Sequence, residues 1–91
     1  MAKANTYTAS TVVKPMSGNL YGVNITKAGS ADATFSIFDN PTTNTGTKLF
    51  DGAGAVTGSF LAGAQEGIVA TTGMYIAIAG TTAPIIQVIW S

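Results

Sequence analysis

Cysteine, histidine and arginine are all missing from this 91-residue sequence, and each absence removes a class of chemistry. Without cysteine there are no disulfide staples and no thiolate metal ligands, and the redox compartment is left open. Without histidine as well, the common zinc sites are excluded, together with every Ser-His or Cys-His nucleophile pair. The lack of arginine leaves four lysines, Lys3, Lys14, Lys27 and Lys48, spread along the chain. They cannot form the dense cationic patch by which proteins neutralise phosphates, so nucleic acid is not an expected partner.

Charge is scarce in both signs. Asp32, Asp39, Asp51 and Glu66 balance the lysines to a formal net charge of zero, and charged residues make up 9% of the chain. Near-neutral surfaces protect poorly against self-association. A single domain of this length, spanning 1–91, also has a thin stability margin unless disulfides, metals or partner subunits add to it. With the first two excluded, the composition predicts an oligomer. The opening "MAKANTYTAS" has no uninterrupted apolar core of the kind a secretory leader needs, so it reads as mature protein, with residues 1–5 as a possible flexible arm.

What is present is β-sheet sequence. The charge-free stretch "GMYIAIAGTTAPIIQVIW" (73–90) is too short and too broken by Gly80 and Pro84 to span a bilayer as a helix, and no membrane partner is expected. "MYIAIA" and "IIQVIW" have strand length and β-branched or aromatic content, and they read as a hairpin joined by a polar loop. "TYTASTVVK" (6–14) is another β-branched stretch. In "LYGVNIT" (20–26), Tyr21, Val23 and Ile25 alternate with Leu20, Gly22, Asn24 and Thr26, which predicts the first set inside and the second outside. In "ATFSIFD" (33–39), Phe35 and Ile37 share one face, with Phe38 in register on the other. "TKLFD", "VTGSFL" and "EGIVA" are weaker strands broken by glycine, and a helical turn is allowed only within "GSFLAGAQEGI". The expected fold is all-β, an antiparallel β-sandwich or jelly-roll-like barrel of about seven or eight short strands.

Candidate sites are few. Asp39 and Asp51 flank the loop 40–50 and could approach as a carboxylate pair or, with Asn40 and Asn44, offer oxygens to calcium, but Asp39-Asn40-Pro41 is also ordinary turn chemistry. "GAGAVTGS" lacks the lysine and spacing of a phosphate loop and reads as a bulge or close strand crossing. Asn24-Ile25-Thr26 matches the glycosylation pattern, which has meaning only on a eukaryotic secretory route. No catalytic residue and no cofactor is expected, and the chain does not read as an enzyme. Trp90 is open to three readings: a subunit anchor, internal packing, or a sugar-stacking surface. The last strand places Ile86, Val88 and Trp90 on one face and Ile85, Gln87 and Ile89 on the other, so both faces are largely apolar. A sandwich strand ordinarily has one wet face. Phe38, Ile85, Ile89, Trp90 and Tyr7 are therefore the expected contact residues for another subunit.

The succession "LYGVNIT", "ATFSIFDNPTTNTGTKLF" and "TTGMYIAIAGTT" resembles a group of small all-β virion proteins of tailed bacteriophages. The shared positions are Leu20, Tyr21 and Gly22; Asp39, Asn40, Gly46, Thr47 and Lys48; and Thr72, Gly73, Tyr75, Gly80 and Thr81. The resemblance extends over about residues 6 to 90 and departs at "DGAGAVTGSFLAGAQEG". It implies a head decoration (cement) or tail-associated protein of the virion, made in the host cytoplasm, which contacts copies of itself, as a trimer or other symmetric oligomer, and the major capsid protein. The alternative is a glycan-binding module of a tail fibre or spike.

Overall fold

The computed structural model describes residues 3–55, 57–61 and 67–91, and in these the chain forms nine β-segments. They are β1 (Lys3–Tyr7), β2 (Thr11–Lys14), β3 (Gly18–Lys27), β4 (Thr34–Phe38), β5 (Lys48–Ala53), β6 (Gly58–Leu61), β7 (Ile68–Ala70), β8 (Met74–Ala79) and β9 (Ile85–Trp90). One sheet has the order β1-β9-β3-β6, with β7 also pairing β3; the other is β2-β8-β4-β5. β6 pairs with Gly22–Ile25 and β7 with Gly18–Leu20, so these two short segments follow one another along the same edge of β3. Nine segments thus fill eight strand positions. All pairings are antiparallel.

Consecutive strands mostly change sheet: β1 to β2, β2 to β3, β3 to β4, β5 to β6, β7 to β8 and β8 to β9 all cross, while β4 and β5 form a hairpin within one sheet. This is the connectivity of a jelly roll, two interleaved four-strand sheets closing over one core. Val13, Leu20, Val23, Ile25, Phe35, Ile37, Met74, Ile76, Ile86 and Val88 fill the space between the sheets. The alternation predicted for β4 and β9 is present: Phe35 and Ile37 are buried, as are Ile86 and Val88.

Four expectations need correction. The run 73–90 is not a hairpin: β8 pairs with β2 and β4, β9 with β1 and β3, and Gly80 to Pro84 carry the chain between sheets. Gly80 has φ +136, and a Cβ there would lie 2.8 Å from Ala33 Cα, so the crossing needs glycine. The stretch 6–14 likewise divides between β1 and β2, one in each sheet. Leu20 belongs to the core, with no exposed surface, because a register shift between Leu20 and Gly22 inserts Tyr21 as a bulge opposite Trp90 and Ile89. Residues 3–5 are no free arm: Lys3, Ala4 and Asn5 pair with Trp90, Ile89 and Val88. The helical turn allowed near 58–68 meets β6 at Gly58–Leu61, and its remainder at 62–66 lies outside the described residues.

The glycine-rich segment is a close crossing. Gly54 donates to Ala33 O and accepts from Gly29 N, both at 2.8 Å, and a Cβ on it would meet Pro84 Cγ at 2.6 Å.

Candidate interaction surfaces

Asp39 and Asp51 do not come together. Asp51 sits opposite Ser36, three residues from Asp39 along β4, and takes a 2.6 Å hydrogen bond from Ser36 Oγ and a 3.5 Å ion pair from Lys48. Asp39 turns the other way, toward the turn between β7 and β8. Its carboxylate accepts from Thr71 N (3.1 Å) and Oγ1 (2.7 Å), Thr72 N (2.9 Å) and Oγ1 (2.9 Å), and Gly73 N (3.4 Å). Asn40 is occupied within its own loop, accepting from the amides of Thr42 and Thr43 at 2.9 Å and donating to Thr45 O at 3.2 Å. Among the described residues, no three acidic side chains are grouped for a metal ion.

A second staple mirrors the first. Asp32, just before β4, accepts from Thr81 N at 3.1 Å, Thr81 Oγ1 at 2.9 Å and the Ser30 hydroxyl. β4 and β8 are antiparallel partners, so "TTG" before β8 meets the Asp after β4, and "GTT" after β8 meets the Asp before it. One aspartate clasps each end of the same strand pair. Partial desolvation raises the Asp39 pKa, but the Thr71 and Thr72 donors outweigh it and hold the carboxyl well below its usual range. The Ser30 and Thr81 donors hold Asp32 down to about 2. Ser36 and then Lys48 lower Asp51.

The residues expected to contact another subunit divide into three places. Ile85 and Ile89 lie half-buried on the outer face of the β1-β9-β3 layer. Ile89 sits between the exposed Ala4 and the buried Gly22, and Gln87 between Thr6 and Asn24. Asn24 Nδ2 donates to Gln87 Oε1 at 2.8 Å, so one N–H of the amide at the glycosylation pattern is bonded to its cross-strand neighbour. The Ile89 and Gln87 rows carry no charge; Lys27 stands opposite Ile85 at the end of the face. Phe38 is on the outer face of the other sheet but is only 9% exposed, with the Lys48 ammonium 5.7 Å from its ring centroid. It leaves little surface for a partner. Tyr7 and Trp90 face inward at opposite ends of the β1·β9 ladder and pack against the core, and burial raises the Tyr7 pKa.

Trp90 is not on an edge strand, since β9 lies between β1 and β3. Its indole N–H donates to Asn5 Oδ1 at 3.1 Å, and two ammonium groups approach its ring: Lys3 at 5.3 Å and Lys14 at 5.8 Å from the centroid. Sequence reasoning missed this convergence because Lys3 and Lys14 belong to strands of different sheets. Among the residues whose side chains are described, Met16 at 61% and Val69 at 63% are strongly exposed large apolar residues that strand periodicity does not single out; one is in the β2–β3 turn and the other on β7. The chain matches no family model, no curated protein and no solved structure.

Proposed function

We propose that this chain is a non-enzymatic structural protein of a virion: a capsid decoration or cement subunit that associates with its own copies and braces the major capsid protein. The observation that carries the reading is the outer face of the β1-β9-β3 layer, where Ala4, Thr6, Gly22, Asn24, Ile85, Gln87 and Ile89 form a stretch whose one charged neighbour among the described residues is Lys27, paired with Ile85 at its end. Exposed antiparallel sheet faces are usually polar and charged. A face with two isoleucines, an amide pair bonded across the strands and one charge at its end gains when a matching surface covers it, at roughly 25 cal/mol per Å² of apolar area before association costs.

Two further features support it. Jelly rolls recur in viral capsid domains, although they also carry lectins and cupins, so the topology adds weight only by analogy. The Asp32 and Asp39 clasps fix both ends of β4·β8 with hydroxyl and amide donors, which suits a small brace that must stay rigid without disulfides. Electron cryo-microscopy of particles carrying this chain tests the proposal. It should appear on the head shell with Ile85 and Ile89 against a neighbouring polypeptide; density confined to a fibre tip, with that face in solvent, would refute it.

A further inference from the structure

We infer that the Lys3–Trp90–Lys14 cluster is a docking site for a carboxylate-bearing, extended segment of a partner protein. The charges are distributed unevenly. The three described aspartates are all engaged internally, Asp32 by Ser30 and Thr81, Asp39 by Thr71 and Thr72, and Asp51 by Ser36 and Lys48. Lys3 and Lys14 instead converge on one indole, and neither has a carboxylate partner among the described residues. The ammonium groups lie 5.3 and 5.8 Å from the same ring centroid, and the indole stabilises each only in part. Carboxylates from outside the chain would pair with them.

The placement is built in. Lys3 comes from one sheet and Lys14 from the other, both at the end of the sandwich that Trp90 closes. Lys14 can lie there because residue 18 is glycine: a Cβ at Gly18 would stand 2.9 Å from Lys14 Cδ and 2.2 Å from Ser91 O. Asn5 fixes the indole plane through the 3.1 Å bond, and the Ser91 carbonyl is held by Asn19 N at 3.1 Å. β1 is also an edge strand, exposed from Lys3 to Thr6, so its outward backbone groups can pair with an added extended segment. A protein segment satisfies all of these at once, the edge by its backbone and the ammonium pair by its carboxylates.

The inference leans on the assembly reading for the kind of partner but is tested on the isolated chain. Trp90 is the sole tryptophan, so its emission reports the site directly. Acetylated hexaglutamate amide should give a saturable change at low ionic strength that weakens at physiological salt, where screening sets in over about 8 Å. Lys3→Gln and Lys14→Gln should each weaken binding roughly two- to fivefold, while Lys27→Gln should leave it unchanged. Thermal unfolding of each variant checks that the fold is intact. The idea fails if hexaglutamate gives no saturable change, if hexaglutamine binds as well, if Lys27→Gln is as damaging, or if polygalacturonate binds while the peptide does not. Failure here would leave the sheet-face proposal standing, and a monomeric chain that binds the peptide would do the reverse.

Discussion

A carboxylate that accepts from two threonine amides and both of their hydroxyls is a mechanical part as much as a charge. Replacing Asp39 with Asn turns one acceptor into a donor facing Thr71 N and Oγ1. Because the site is partly solvated, the loss should be about 1–3 kcal/mol, read as a drop of roughly 4–8 °C in melting midpoint per kcal/mol. The acid limb of stability has the same origin. Asp32 and Asp39 have folded pKa values below the ordinary 3.8, so they contribute stability above that pH and lose it as pH falls toward and below about 2. With no histidine, stability should be nearly flat from pH 5 to 8. Tyr7 acts in the opposite sense: its raised pKa means that stability declines as pH rises past the unfolded value of 10.0. Urea unfolding across pH should show the acid limb shrinking in the double variant Asp32→Asn/Asp39→Asn.

Among the elements, β3 carries the most information. It contacts β9 on one side and both β6 and β7 on the other, and it changes register with β9 twice. The bulge at Tyr21 is what turns Leu20 inward. Leu20→Ala should therefore cost about 2–5 kcal/mol, a core penalty at a position that strict alternation would assign to solvent; chemical denaturation checks it. Gly80→Ala should also destabilise, since the new methyl meets both a positive φ and the Ala33 backbone.

Legibility followed the same division. Phe35, Ile37, Ile86 and Val88 could be read directly because alternation reports burial wherever a strand runs without bulges. Leu20 could not, since nothing local announces a bulge. The two runs flanking "GTTAP" looked like a hairpin because sequence shows only that a turn exists, whereas the sheet each strand joins depends on long-range pairing, here enforced by Gly80, the buried Pro84 and the Asp32 clasp. Asp39 was visible as a turn residue, but its partner Thr71, 32 positions away, was not, nor was the pairing of Asp32 with Thr81 across 49 positions. For the same reason the outward Ile85 and Ile89 were legible, and the lysine pair over Trp90 was not.

At the level of the whole molecule, a jelly roll without disulfides or a metal group among its described residues is stapled by two aspartates and leaves one sheet face on which Lys27, at its end, is the one charge among the described residues. The central claim is that another polypeptide covers this face. Sedimentation velocity over a concentration series, run on the native chain and on the double variant Ile85→Glu/Ile89→Glu, tests it most directly. The account predicts a discrete oligomer for the native chain and a folded monomer for the variant. A native chain that sediments as a monomer at every soluble concentration and in the presence of its shell stays unattached, or an oligomer indifferent to the two glutamates, would contradict it.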